Sequence, residues 1–342
     1  MIIKLLSALA LVWWLIALHW TVQPSGVTAT FRGISAVSDT VAWASGSGST
    51  VLRTADGGAT WQKLTVTTDR LDFRDVDAID ERTAYVLSIG NGPASRIFKT
   101  TDAGATWTQQ FKADDPKMFL DAMTFWDADR GIVMGDSIDG HFCVLTTENG
   151  GGAWSRVPDA ALPPALPNEG AFAGSGTNIA VWGASDAWIG TSGSRVLHTP
   201  DRGKTWSVAA TPIPSNDSTG IFSVAFRDAL HGVAVGGDYK QEAVAADNLA
   251  ITRDGGKNWL LVQGQSSAPT SQNLSGFRSV VRFVPGTTAL IAVGPQGSDW
   301  SDDDGRSWTA LGPPGFHTFD FSPSGKIGWG AGGRGQIGKL ER

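Results

Sequence analysis

Short runs in which apolar and polar residues alternate, broken by glycine-rich turns, fill most of this chain and predict strands throughout. Between Trp61 and Trp107 the runs are Phe73-Arg-Asp-Val-Asp-Ala-Ile79, Thr83-Ala-Tyr-Val-Leu87 and Arg96-Ile-Phe-Lys-Thr100. They lead into an eight-residue segment of fixed form: a hydroxyl residue, any, Asp or Asn, any, Gly, any, any, Trp. One further strand follows it. The segment occurs six times, beginning at Thr54, Thr100, Thr147, Thr199, Thr252 and Ser301. Its third and eighth positions are Asp56 and Trp61, Asp102 and Trp107, Asn149 and Trp154, Asp201 and Trp206, Asp254 and Trp259, and Asp303 and Trp308. Successive tryptophans are 46, 47, 52, 53 and 49 residues apart, a period that belongs to blade-like repeats.

Four antiparallel strands per repeat, arranged radially, make a β-propeller with the segment as the third turn of each blade. In that turn the carboxylate and the hydroxyl can accept backbone N–H groups, glycine supplies a positive φ, and tryptophan enters apolar space beside the blade. After the sixth segment, Phe316-His-Thr-Phe-Asp-Phe321, Gly328-Trp-Gly-Ala331 and Gly335-Gln-Ile-Gly-Lys-Leu340 supply three strands and no segment. The missing strand lies at the other terminus, where His19-Trp-Thr-Val-Gln-Pro24 resembles Thr60-Trp-Gln-Lys-Leu-Thr65. The expected fold is therefore all-β: a single seven-bladed propeller over residues 19–342, closed by the strand around Trp20 joining the C-terminal blade.

Composition agrees with that reading and narrows function. The 342 residues include 43 glycines and are only 18% charged, which suits short strands and tight turns rather than helix. A net charge of -6 argues against a nucleic-acid partner, which calls for a basic stripe. The single cysteine, Cys143, forms no internal disulfide. Residues 1–18 carry one early lysine, Lys4, and then an apolar run shorter than the roughly 20 residues of a comfortable membrane span. They read as a signal peptide or a short membrane anchor. The protein is expected to be exported, either periplasmic or secreted, or tethered to a membrane if the segment is retained.

In such a blade the segment-bearing turns share one face. The second turns, the blade-to-blade linkers and the starts of the innermost strands share the other, where the long and varied loops also lie. Aligned on phenylalanine, those starts read Phe31-Arg32, Phe73-Arg74-Asp75, Phe119-Leu120-Asp121, Phe172-Ala173, Phe222-Ser223, Phe277-Arg278 and Phe316-His317. Arg32, Arg74 and Arg278 are expected around one mouth of the channel, with Asp75, Asp121, Glu169 and His317 nearby. A second candidate contact is Tyr239 and Lys240 in the loop 237–248. Clustered guanidinium groups suit a carboxylate, a phosphate or a partner's acidic segment. The competing reading pairs each arginine with a neighbouring carboxylate to lock adjacent blades. Gly330-Ala-Gly-Gly-Arg-Gly335 matches a dinucleotide-binding pattern but lacks the following helix that would hold a pyrophosphate. The histidines show no metal-ligand spacing. No cofactor, metal or catalytic residue is assigned.

The six segments, such as Thr54-Ala-Asp-Gly-Gly-Ala-Thr-Trp61 and Thr199-Pro-Asp-Arg-Gly-Lys-Thr-Trp206, resemble the Asp-box, or bacterial neuraminidase (BNR) repeat, over about residues 19–340. With seven blades and Phe-Arg-x-Val/Ile at the inner strands, the chain is similar to the photosystem II assembly factor family and to exported bacterial propellers of that group. The resemblance implies a non-enzymatic module that binds a protein client, a membrane protein or its acidic segment, through an arginine patch. The protein is expected to be a monomer. Arg32, Arg74 and Arg278 match the motif, while Leu120, Ala173, Ser223 and His317 depart from it. Sialidase-type glycoside hydrolases share the boxes, and with them a carbohydrate partner stays open. The Arg-Ile-Pro start of those enzymes is missing, and neither Tyr85 nor Tyr239 matches their nucleophile by motif. Asp75, Asp121 and Glu169 are then the carboxyls to serve as acid and base.

Overall fold

The structure is a computed structural model that describes residues 18–262 and 273–341. The apolar start expected as a signal or anchor, residues 1–17, and most of the linker 260–275 lie outside the described residues. The chain forms seven four-stranded antiparallel sheets. Six are laid down in chain order from the centre outward, so blade one runs Phe31–Ala36, Ala42–Gly46, Thr50–Thr54 and Gln62–Leu64, and the seventh takes its outer strand from the start of the chain. The innermost strands of blades two to seven are Asp72–Ala78, Leu120–Phe125, Ile179–Trp182, Thr219–Phe226, Val280–Phe283 and Thr318–Phe321. Closure follows the expected route. His19–Pro24 pairs antiparallel with Gln336–Glu341 as the outer strand of blade seven, with Trp20 opposite Leu340. No helix among the described residues is long and apolar enough to cross a membrane.

Apolar side chains gather in seven clusters, one at each seam between blades, and each takes in one repeat tryptophan. Trp107 of blade two packs with Trp43 and Val51 of blade one, and Trp308 of blade six with Val233 and Leu249 of blade five. Trp61 sits against Trp329 and Ala331 of blade seven. Trp20 does the same work without a box. It packs beside Val280 and Ile291 of blade six, tilts over Phe316 at 4.6 Å, and donates its indole N–H to Ser298 Oγ at 3.0 Å. The repeat tryptophan is thus a wedge between its own blade and the preceding one, and the ring is closed by seven such wedges.

The turns hold themselves together by hydrogen bonds that the residue pattern half reveals. In the first, Thr54 Oγ1 accepts Gly58 N–H at 2.9 Å and donates to Asp56 Oδ1 at 2.9 Å. Asp56 Oδ1 also accepts Thr60 N–H at 2.9 Å, and Gly58 takes φ +87°, a conformation glycine adopts without strain. The position before tryptophan, left free in the pattern, contributes as well. The Thr60 hydroxyl donates to Asp56 Oδ2 at 2.6 Å, and Thr106, Thr205, Asn258 and Ser307 repeat this contact. These bonds, the Thr60 hydroxyl first, hold the exposed Asp56 carboxyl down at about 2, and Thr106 does the same for Asp102. Only the third turn, with Asn149 and Ala153, lacks that partner.

Candidate functional site: the arginine-bearing mouth

At the opposite rim the innermost strands do not enter their sheets smoothly. The ladder to the second strand slips between Phe31 and Gly33, Phe73 and Asp75, Leu120 and Ala122, and Ile221 and Ser223. Each slip is a bulge that frees one residue from the ladder and re-aims its side chain. The freed residues are Arg32, Arg74, Asp121 and Phe222, and all four line one cavity of about 390 Å³. The bulge also corrects the alignment on phenylalanine. In blade three the position that matches Arg32 is Asp121 rather than Leu120, and in blade five it is Phe222 rather than Ser223.

Arg278 is displaced by the same one-residue count. Val280 pairs with Val293, while Gly33 pairs with Ser45, which puts Arg278 in register with Phe31 and turns its side chain into the protein. It is buried, with Nε donating to Asp299 Oδ2 at 2.6 Å, Nη1 to the Phe277 carbonyl at 2.8 Å and Nη2 to Ser275 Oγ. Arg278 thus pairs with a carboxylate as the competing reading expects, but within blade six rather than between adjacent blades, and Arg74 Nε pairs with Asp72 at 2.9 Å; the mouth carries two of the three expected arginines.

The channel beneath is filled. Residues 173–178 of blade four, too small and too glycine-rich to pair as a strand, run across the axis before Ile179–Trp182 begins. Ser175 Oγ donates to the Ser279 carbonyl of blade six at 2.7 Å, and Thr318 Oγ1 of blade seven donates to the Ser175 carbonyl at 2.9 Å. Thr177 Oγ1 donates to Ser223 Oγ of blade five at 2.7 Å. Gly176 leaves no room for a Cβ, since one would stand 2.1 Å from Asp75 Oδ1. The mouth is accordingly a floored pocket. Its floor also orients the arginines, because Arg32 Nη1 donates to the Gly174 carbonyl at 3.3 Å and Arg74 Nη1 to that of Ala173 at 3.2 Å.

All seven blades contribute to the wall. Arg32 and Arg74 form a cationic arc on blades one and two, and Asp121 and Asp136 form an acidic stretch on blade three. Blades four to six present an aromatic side: Phe172 stacks on Phe222 at 3.9 Å, Phe277 meets Phe222 edge-on at 4.7 Å, and Tyr239 lies edge-on 6.1 Å from Phe222. His317 completes the ring from blade seven. Burial, then the neighbouring Arg74 charge, lowers Arg32 to about 10. Burial, then Arg32 and Arg74, lowers His317 to about 4, so this imidazole is neutral at pH 7. Burial, reinforced by Asp136, pushes Asp121 well above the usual carboxylate range. Three side-chain atoms of this one cavity, Arg32 Nε, Asp121 Oδ2 and His317 Nδ1, are buried without a hydrogen-bond partner.

The other candidates lie elsewhere. Asp75 is buried within the ring, accepting Met123 N–H at 2.8 Å and thereby tying blade two to blade three. Glu169 faces a different hollow, between blades three and four. Burial alone would raise its carboxyl, but Arg195, Thr191 and Leu166 N–H hold it below its ordinary value. Lys240 is exposed outside the mouth, its ammonium 5.8 Å from the Tyr239 ring centroid. Asp136 and Glu242 belong to the wall and carried no signal of their own in the sequence, while Phe172 and Phe277, which served there only to align the inner strands, are wall residues themselves.

No family model and no curated protein matches the chain. Solved structures do. YCF48 bound to a D1 peptide shares 18% identity at a TM-score of 0.65, covering 94% of this chain and 97% of that one. YCF48 from Cyanidioschyzon merolae shares 16% at 0.67, covering 94% and 98%. A GH74 xyloglucanase from Xanthomonas campestris shares 17% at 0.64, and this chain spans about half of it, 94% of this chain against 53% of that one. The ring thus resembles the photosystem II assembly factor YCF48 and the propellers of GH74 enzymes. At these identities the likeness is one of fold.

Proposed function

We propose that this propeller is a protein-binding module that takes an extended segment of a client into the pocket at its mouth, with Arg32 and Arg74 holding an acidic group of that segment. The observation that carries the reading is the crowding of two guanidinium groups in a cavity that also has an aromatic side, where burial and the Arg74 charge leave Arg32 short of compensating charge even with Asp72 and Glu242 acting on it. A carboxylate laid between them supplies that charge, and the Phe172, Phe222 and Tyr239 rings take the apolar side chains beside it. The YCF48 structure with a D1 peptide supports a peptide as ligand for a propeller of this build. In this reading the client is outside the cytoplasm, in the periplasm or at a membrane, an assignment supported by the apolar, signal-like run of residues 1–18.

Fluorescein-labelled, end-blocked hexapeptides of apolar residues carrying one Glu test it by polarisation. The Glu peptides should bind, and Arg32→Gln with Arg74→Gln should weaken them about tenfold or more. Equal affinity for Gln-substituted peptides would overturn the assignment. The hydrolytic alternative rests on the pair Asp121 and Asp136, both raised and both on the cavity wall, since Asp75 and Glu169 are engaged elsewhere. Its test is turnover of a glycoside panel that disappears in Asp121→Asn.

A further inference from the structure

We infer that the pocket reads a bipolar segment: beside the arginines, on the adjoining blade three, Asp121 and Asp136 take a cationic side chain or amine of the same ligand. This rests on the client-binding reading above and specifies the chemistry of the client. Asp121 occupies on blade three the freed bulge position that holds arginine on blades one and two, so one structural device presents opposite charges around one cavity. Its side chain is 1% exposed and its Oδ2 has no partner among the described residues. Asp136 lies close enough for its charge to act on Asp121, and the Ala171 N–H serves both carboxyls. No ion pair joins either group to a cation of the described residues, whereas Glu169 is paired with Arg195 and both oxygens of Asp75 accept backbone N–H groups, from Val76 and Met123. A buried acceptor left open on a cavity wall is a group whose partner comes from outside.

A lysine ammonium or a guanidinium fits this vacancy on three counts. It donates to both carboxyls at once, it restores charge to a pair that burial keeps from ionising, and its alkyl stem lies along the Phe172 ring. The polarity also fixes direction, because a segment bound with its acidic residue toward blades one and two must carry its basic residue toward blade three.

The test uses the full chain and end-blocked hexapeptides holding one Glu and one Lys at spacings of one to four residues, against the same peptides with norleucine in place of Lys. At the matching spacing the Lys peptide should bind about tenfold tighter than its norleucine twin. Asp121→Asn and, separately, Asp136→Asn should erase most of that ratio while leaving the preference for Glu over Gln intact. Should Asp121→Asn fold poorly, the wild-type ratio and the Asp136→Asn variant still decide. Lys and norleucine binding alike, with Glu still required, would overturn the bipolar assignment and leave the client-binding reading standing. A ratio that survives both aspartate variants would overturn it too. Loss of the Glu requirement would sink the earlier reading itself.

Discussion

The turn-bearing rim and the arginine-bearing mouth lie on opposite faces of the ring, and both are built around aspartate used in contrary ways. In the turns the carboxylate is exposed yet saturated: Asp56 takes a threonine hydroxyl at each oxygen and a backbone N–H besides, and sits at about 2. At the mouth Asp121 is buried yet open, with one oxygen unpartnered and its carboxyl pushed up by burial and by Asp136. A residue that has met its hydrogen-bonding capacity inside the chain can only hold the chain together. One that has not, and that lies on a cavity wall, keeps an acceptor free for the ligand proposed above.

The largest effect that sharpens this contrast separates arginines that look alike in sequence. Arg278→Ala should cost about 3–5 kcal/mol in urea unfolding, because it strands the buried Asp299 carboxylate. Arg74→Ala, whose ion pair with Asp72 is part-exposed, should cost within about 1 kcal/mol and act on peptide affinity instead. Similar losses for the two would break the distinction between lock and site. Trp308→Ala, which empties a fully buried wedge between blades five and six, should lower stability by about 3–5 kcal/mol, and half-buried Trp61→Ala by less.

A smaller step is expected at the turns themselves. Asp303→Ala removes the acceptor of Ser301, Ser307 and two backbone N–H groups, and should cost about 1–3 kcal/mol. The third turn offers the converse, since Asn149→Asp with Ala153→Thr restores the missing contact and should raise the melting temperature slightly.

The smallest predicted change is one of pH. Burial pushes Asp77 up to about 6, with the Asp320 charge adding to it and Thr124, Phe125 N–H and Arg282 opposing it. A carboxyl raised above its unfolded value of about 3.9 holds its proton longer when folded, so its contribution is complete below pH 4 and lost as the pH climbs through about 6. Asp56 and Asp102, held at about 2, contribute above pH 4 and lose that contribution as the pH falls toward 2. Melting temperatures of Asp77→Asn and the wild type should therefore coincide at pH 4 and diverge at pH 7.5, the variant melting higher. A constant difference across that range would refute the assignment.

How much of this was legible depended on whether a residue's role is local. The box segments, the four-strand repeat and the closing strand at Trp20 could all be read from spacing, because a hydrogen-bonded turn and a repeated wedge need only residues close in the chain or repeated along it. The hydroxyl before tryptophan, at Thr60 and its equivalents, is as local as the rest of the turn, yet the eight-residue pattern does not include it because Ala153 stands there in the third turn. The mouth was half legible. Arg32 and Arg74 were placed by the phenylalanine that precedes them, but Asp121, Phe222 and Arg278 each fell one residue from their assumed register.

The sequence by itself therefore determined the ring: the number of blades, the order of strands in each, and the seam where the two ends meet. Tertiary structure alone decided which side chains face the cavity, that residues 173–178 floor it, and that Arg278 turns inward to Asp299 while Asp121 turns out. The reason is the strand period of two. A bulge shifts every following side chain to the opposite face, and where a strand bulges depends on how it packs against its neighbours, which the pattern of its own residues does not show.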